Sequence, residues 1–255
     1  MWGAIIGDIV GSVYAFDGIR TKKFEFFDVR GHFSDETVLT CAVAQVMREY
    51  VAGGKKLDFA AELQEAFLDF GWKYPDLTYG RNFIAWLFAD EQMPYASAGV
   101  GCAVRVSPAA WYAKTLEEAE EYARMSCVVT HTHEASIHGA KAMAAAIFMA
   151  RQHLPKEEIK RYLEEHYYKL TFTLADIRRG YQFNPTCPGA IPPALVAFLE
   201  AEDFEDAVRN AISIGGGDAL AALTGSIAEA YFGIPEEMKE RARMYLDETL
   251  LAAVE

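Results

Sequence analysis

Apolar side chains recur at the spacing of an α-helix along most of this chain, and this repeat restricts the fold more than any other feature. In the segment 35–51, apolar residues four positions apart share one face, and Gly53-Gly54 follows where a helix would end. Alternating runs rich in valine, isoleucine and threonine, which are typical of strands, are nearly absent. The pattern predicts an all-α fold.

Further helices are expected where similar repeats are bounded by capping residues, prolines or glycines. Thr115 to Glu118 resembles a capping box, and Gly3 to Ser12 resembles a tightly packed core helix. The other predicted helices are 57–70, 115–128, 135–152, one that starts near Pro155, 192–199, 204–212, 218–231 and 235–246. The segment 79–111 is predicted to be a helix followed by a long ordered loop. Because the joints are short and no linker is visible, we expect one domain over residues 1–255.

The composition limits the partners and the location of the protein. The 255 residues include 24 basic and 37 acidic side chains, a net charge of −13, so nucleic acid is an unexpected partner. The sequence contains no stretch of 18 apolar residues, so no membrane span is expected. The N-terminus does not resemble a signal peptide. The four scattered cysteines fit reduced thiols, so we expect a cytoplasmic protein. We also expect either a monomer or a small homo-oligomer.

Two acidic segments could carry chemistry. Asp8 lies among apolar residues of the first helix and needs a polar partner if it is buried. Ser34, Asp35 and Glu36 precede or open a helix, where they could serve as an N-cap and first-turn acids. The alternative is a site for a hard cation, since adjacent carboxylates and a hydroxyl supply the oxygen ligands that magnesium or manganese prefers.

Two glycine-rich segments and a histidine pair are further candidates. Cys102 follows Gly99 and Gly101 and could be a nucleophile, or else a small buried apolar residue. His131 and His133 could hold a metal or line the mouth of a pocket. The Ser213 to Asp218 segment leads into a helix, so its backbone could bind an anion or Asp218 could be the N-cap.

In order and spacing, six short motifs resemble those of the ADP-ribosylglycohydrolase family. They are Gly7 to Ser12, Ser34 to Thr37, Gly99 to Pro108, Thr130 to His133, Gly215 to Ala219, and Thr224 to Ala228. The resemblance implies an all-helical fold with a site for magnesium or manganese ions. It also implies cleavage of the glycosidic bond that joins ADP-ribose to a protein side chain or a related small acceptor.

The family motifs also imply roles for individual residues. The expected metal ligands are Ser34, Asp35, Glu36 and Asp218, and the expected catalytic groups are Asp35 and Glu36. The expected substrate-binding residues are Gly99, Gly101, Cys102, His131, His133, Gly215 and Gly216. The expected partners are an ADP-ribose-type small molecule or an ADP-ribosylated protein.

The chain departs from the family pattern at the expected metal site. Ala15 stands where the family usually has glutamate, and Glu36 stands for the second aspartate of a pair. The closing turn keeps Asp218 but has Ala219 in place of threonine, and Val100 replaces a polar loop residue. With fewer carboxylates the site would hold one ion, two ions or none.

Three hypotheses follow for function. The first is a metal-dependent ADP-ribosyl hydrolase with a reduced ligand set, whose activity could be impaired. The second is a pseudoenzyme or binding protein with a remodelled pocket on the same scaffold. The third is a thiol enzyme that uses Cys102 with His131 or His133.

Overall fold

The computed structural model describes residues 1–255 and contains fifteen helices and no β-strand. The helices are α1 (Trp2–Ser12), α2 (Asp35–Ala52), α3 (Phe59–Lys73), α4 (Arg81–Leu87), α5 (Gly101–Val104), α6 (Ser107–Tyr112), α7 (Leu116–Val128), α8 (Glu134–Arg151), α9 (Lys156–His166), α10 (Leu174–Ile177), α11 (Cys187–Leu199), α12 (Phe204–Ile212), α13 (Gly217–Phe232), α14 (Glu236–Arg243) and α15 (Glu248–Val254). The all-α prediction is therefore confirmed. None of these helices combines the length and apolar character that a membrane span requires.

Most of the predicted helices are present, and the differences have local causes. Helix α12 has the predicted bounds, whereas α11 begins at Cys187, five residues before the predicted start at Pro192. Pro192, the predicted first residue, lies inside α11 together with Pro193. Three short helices, α4, α5 and α6, occupy the segment 79–111 and its end where one helix and a loop were predicted, and neither α10 nor α15 was predicted. Helices of four to seven residues carry too few apolar repeats to be detected by their period.

The capping box predicted at the start of α7 is only half formed. The Thr115 hydroxyl accepts a hydrogen bond from the Glu118 backbone N–H at 3.2 Å, as an N-cap does. The Glu118 carboxylate, however, accepts from the backbone N–H of Lys114 at 2.6 Å rather than from that of Thr115. The reciprocal bond that defines the box is therefore absent.

Helices α1 and α13 pack with their backbones in contact. A Cβ atom added to Gly7 would lie 2.2 Å from the carbonyl oxygen of Ala221, and one added to Gly3 would lie 2.1 Å from that of Gly225. At the other end of the pair, a Cβ atom on Gly11 would lie 2.5 Å from the Cα atom of Asp218. Glycines four positions apart therefore bring the start of α13 beside the end of α1.

This contact predicts a large loss of stability for Gly7→Ala. The added methyl group would overlap backbone atoms of α13, and overpacking of this kind costs about 1–3 kcal/mol or more. Gly180→Ala is the control, because no atom lies within 4 Å of a Cβ atom there. Urea unfolding monitored by circular dichroism measures both variants. Equal stabilities of the two variants would show that the helices do not pack this closely.

Asp8 joins α1 to the beginning of α2. Its fully buried carboxylate accepts hydrogen bonds from the backbone N–H and hydroxyl of Ser34, at 2.8 and 2.7 Å. It also accepts from the backbone N–H and hydroxyl of Thr37, at 3.2 and 2.5 Å. These four bonds supply the polar partner that a buried aspartate requires, and they fix the first turn of α2 against α1.

Candidate functional site

A cavity of about 750 Å³ opens where the first turns of α2 and α13 meet the segment before α5 and the segment before α11. Its walls include carboxylates, arginines, aromatic rings and glycines. The lining residues are Ala15, Phe16, Asp35, Glu36, Leu39, Thr78, Gly80, Arg81, Asn82, Phe83, Tyr95, Ser97, Ala98, Gly99, Val100, Gly101, Arg105, His131, Phe183, Pro185, Thr186, Asp218 and Ala219. A volume of this size is in the range of small-molecule sites.

Helix starts bring three carboxylates into this cavity. Asp35 and Glu36 are the first two residues of α2, and Ser34 caps that helix by accepting from the Glu36 N–H at 3.2 Å. Asp218 is the second residue of α13, and its carboxylate accepts from the Ala219 N–H at 2.8 Å. Negative side chains at a helix N-terminus are favoured by the helix dipole, so both helices stabilise the acids that they carry.

Burial, together with neighbouring negative charges at Asp35 and Glu36, raises the pKa values of the carboxylates at this end of the cavity. Burial raises the pKa of Asp35 to about 8, and the negative charges of Asp8 and Asp218 add to the effect. Burial and the same neighbours hold the pKa of Glu36 well above its usual range. Burial also raises the pKa of Asp218. The cluster therefore favours either protons or a bound cation over four free negative charges.

The donor chemistry of the cluster fits a magnesium or manganese ion. The three carboxylates Asp35, Glu36 and Asp218 offer only oxygen atoms as ligands, and one of these atoms, Oε2 of Glu36, is buried without a hydrogen-bond partner. No three histidine, cysteine, aspartate or glutamate side chains surround a common point at ligand distance. Magnesium is commonly held by one or two carboxylates with water completing its shell, and this smaller requirement is met.

Ser34 is placed differently from the other expected ligands. Its hydroxyl donates to Asp8 at 2.7 Å and accepts from the backbone of Glu36, and it does not line the cavity. The hydroxyl therefore orients the start of α2 through Asp8.

The glycine-rich segment before α5 forms another wall of the cavity. Gly99, Val100 and Gly101 all line it. The segment is held against the start of α11 by a bond from the Val100 N–H to the Pro185 carbonyl at 2.8 Å and one from the Cys187 N–H to the Ala98 carbonyl at 2.9 Å. The carbonyl oxygen of Gly99 accepts from the Ser136 hydroxyl at 3.0 Å. This wall is therefore fixed by neighbouring elements on two sides.

Four of the expected substrate-binding residues lie outside the cavity wall. Cys102 is fully buried, and its thiol contacts the Ser136 carbonyl oxygen at 3.6 Å. His133 is exposed and caps α8, since its Nδ1 accepts from the Ala135 N–H at 3.1 Å. Gly215 packs against the Arg20 guanidinium, and Gly216 is the N-cap of α13. A nucleophilic role for Cys102 lacks an access route, because its thiol does not reach the cavity.

His131 and several residues that were not singled out from the sequence do line the cavity. His131 is in contact with the ring of Tyr95, with ring centroids 4.8 Å apart.

Arg105 is almost fully buried, and its guanidinium lies 4.1 Å from the centroid of the Phe67 ring. Arg105 lies in the same glycine-rich motif as Gly99 and Gly101, so the motif could have identified it as a cavity residue. No motif in the sequence marks the other cavity residues Arg81, Asn82, Phe183 and Thr186.

Three similarities to known proteins accompany this geometry. A sequence model of the ADP-ribosylglycohydrolase family matches residues 1–255. An uncharacterized protein of Archaeoglobus fulgidus is 32% identical over 170 residues, a match that covers 58% of this chain and 55% of that protein. A solved structure described as an ADP-ribosylglycohydrolase-related protein complex aligns with a TM-score of 0.70 at 20% identity, covering 100% of this chain and 96% of that chain. At this identity the structural likeness shows the shared fold.

Proposed function

The chain belongs to the ADP-ribosylglycohydrolase family, and we propose that it hydrolyses the glycosidic bond between ADP-ribose and a protein side chain or small acceptor with the help of a divalent cation. The observation that carries this proposal is the group of partly buried carboxylates Asp35, Glu36 and Asp218, which line one cavity of about 750 Å³ and whose pKa values are raised. This combination supplies both a site for a sugar-nucleotide ligand and groups that exchange protons.

The cavity has features suited to an ADP-ribose-type ligand. The ligand carries a diphosphate, which the carboxylates repel unless a cation or protons neutralise them. Arg81 and Arg105 also line the cavity and supply positive charge, and the aromatic side chains of Phe16 and Phe183 offer surfaces for stacking. The ligand would thus meet cationic and aromatic groups on some walls and the carboxylate cluster on another.

Asp35, Glu36 and Asp218 are the candidates to hold magnesium or manganese, with one or two of them on an ion and water completing its shell. A bound ion of this kind supplies Lewis-acid polarisation and lowers the pKa of coordinated water. Asp35 has a pKa of about 8 without a cation, so it can exchange a proton near neutral pH. Oε2 of Glu36 is buried without a hydrogen-bond partner in the protein, so a proton or a cation would be needed to offset the charge of this carboxylate. Leu39, Val100 and Ala219 line the same cavity and contribute apolar surface to it.

A hydrolysis assay tests the proposal. The purified protein is incubated with ADP-ribosylated protein, in parallel with small ADP-ribosyl conjugates, and released ADP-ribose is measured by chromatography. We expect release with magnesium or manganese and its loss in excess chelator. Equal release with and without chelator would contradict the metal-assisted mechanism. Saturable ADP-ribose binding without release from any conjugate would instead support a binding protein on this scaffold.

A further inference from the structure

A chain of three polar side chains connects the buried guanidinium of Arg105 to the imidazole ring of His131 on the cavity wall. Nη2 of Arg105 donates to the hydroxyl oxygen of Thr130 at 2.6 Å. The same oxygen lies 2.7 Å from Nδ1 of His131. All three residues are almost completely buried. Water therefore cannot compete for these hydrogen bonds, and the side chains must satisfy one another.

The chemistry of the three groups sets the direction of the hydrogen bonds. Arginine has only donors, so the Thr130 oxygen accepts from Arg105. That positive charge draws electron density from the hydroxyl, which makes its proton a better donor and its oxygen a poorer second acceptor. Burial and the positive charge of Arg105 together lower the pKa of His131 to about 4, so the ring is neutral at pH 7. Thr130 therefore donates to Nδ1, and the single ring proton lies on Nε2.

Nε2 of His131 lies beside the glycine-rich wall of the cavity. A Cβ atom added to Gly99 would be 3.8 Å from Nε2, so this edge of the ring borders the residue that lines the cavity. The Tyr95 ring packs against the imidazole, with centroids 4.8 Å apart, and restricts its rotation. The Nε2–H group is therefore a neutral donor held next to the space where a ligand would bind.

We infer that Arg105 and Thr130 are positioning residues that hold His131 as the neutral Nε2–H tautomer, so that His131 donates a hydrogen bond to a phosphate or hydroxyl oxygen of the ligand. The ligand half of this inference rests on the proposed function, whereas the tautomer is a property of the free protein. A neutral donor suits this place because a charged imidazolium beside the buried Arg105 would be costly.

Nuclear magnetic resonance of protein labelled with ¹⁵N-histidine tests the tautomer without any ligand. The six histidines give separate long-range ¹H–¹⁵N patterns, and His131→Gln identifies the signal that belongs to position 131. At pH 7 we expect an unprotonated Nδ1 and a protonated Nε2 at His131. A protonated Nδ1, or a charged ring at that pH, would overturn the inference from the wild-type spectrum alone.

Thr130→Val tests the link from Arg105 to the ring, because valine keeps the shape of threonine and removes the hydroxyl. We expect the pure Nε2–H pattern to give way to a mixture of tautomers. Thr132→Val is the matched control, since Thr132 is exposed, and its spectrum should match that of the wild type. An unchanged His131 pattern in Thr130→Val would overturn the positioning role.

Calorimetric titration with ADP-ribose tests the ligand half of the inference. Thr130→Val is expected to weaken binding by about three- to tenfold, the effect of one misdirected hydrogen bond, and Thr132→Val should leave it unchanged. Equal affinity in all three proteins would overturn the donor role of His131. If the wild type shows the expected tautomer but does not bind ADP-ribose, the proposed function fails while the positioning of His131 stands.

Discussion

Replacing Asp35 with alanine is expected to lower the rate of ADP-ribosyl hydrolysis by about 10²- to 10⁴-fold, the range found when a positioned proton-transfer group is lost. Asp35 lines the cavity at the first residue of α2, and its raised pKa marks it as a group that exchanges protons near neutrality. The alanine variant also loses one of the three carboxylates that we propose as cation ligands. Initial rates of ADP-ribose release at saturating magnesium measure the effect.

Asp69→Ala is the matched control for this experiment. Asp69 is an exposed aspartate on α3 and does not line the cavity. Its replacement should leave the rate within about twofold of wild type, because surface substitutions away from structural contacts change stability by only about 0.5 kcal/mol. A wild-type rate in Asp35→Ala, under conditions where both variants are folded, would remove Asp35 from the mechanism.

The second large effect is expected in the pH dependence of thermal stability without metal. The pKa of Asp35 is about 8 in the folded protein and has an ordinary value of 3.8. The folded state thus binds more protons than the unfolded state between these values, so stability falls as pH rises from about 4 to about 8. Asp35→Asn removes this ionisation and should melt several degrees higher than wild type at pH 8 in chelator.

Magnesium should stabilise the two proteins to different extents at pH 8. A cation that binds only the folded state raises its melting temperature, so wild type should be stabilised by added magnesium, and Asp35→Asn much less. Calorimetric melting curves at pH 5 and pH 8, with chelator or magnesium, provide the comparison. The idea of a repulsive, cation-accepting cluster would be wrong if wild type and Asp35→Asn had the same melting temperature under all four conditions.

The sequence predicted the fold well where long elements repeat their apolar residues. Helices α2 and α12 begin at the predicted residues because their apolar faces and caps are encoded locally. The close approach of α1 and α13 was predicted only in part, since the segment Gly3 to Ser12 was expected to be a tightly packed core helix with no partner named. Which helix packs there depends on residues more than 200 positions away, and no local pattern carries that information.

The site was predicted less completely, for reasons of geometry. Asp35, Glu36, Asp218, Gly99, Gly101 and His131 line one cavity. Cys102 belongs to the same motif as Gly99 and Gly101. It is the second residue of the short helix α5, however, and its side chain is buried in the core and does not face the cavity. The Ser34 hydroxyl is already bonded to Asp8, a partner 26 residues away that motif reading does not reveal. Side-chain direction and long-range pairing therefore separate the cavity residues from the rest.

Calorimetric titrations of chelator-stripped protein with magnesium and with manganese, each in the absence and presence of ADP-ribose, test the central claim most directly. We expect saturable magnesium binding that becomes tighter when ADP-ribose is present, because a cation held by the cavity's carboxylates and the negatively charged diphosphate of the ligand would favour each other's binding. Asp35→Ala should weaken both effects. Absence of magnesium and manganese binding under either condition would contradict the account of this cavity as a metal-assisted glycohydrolase site.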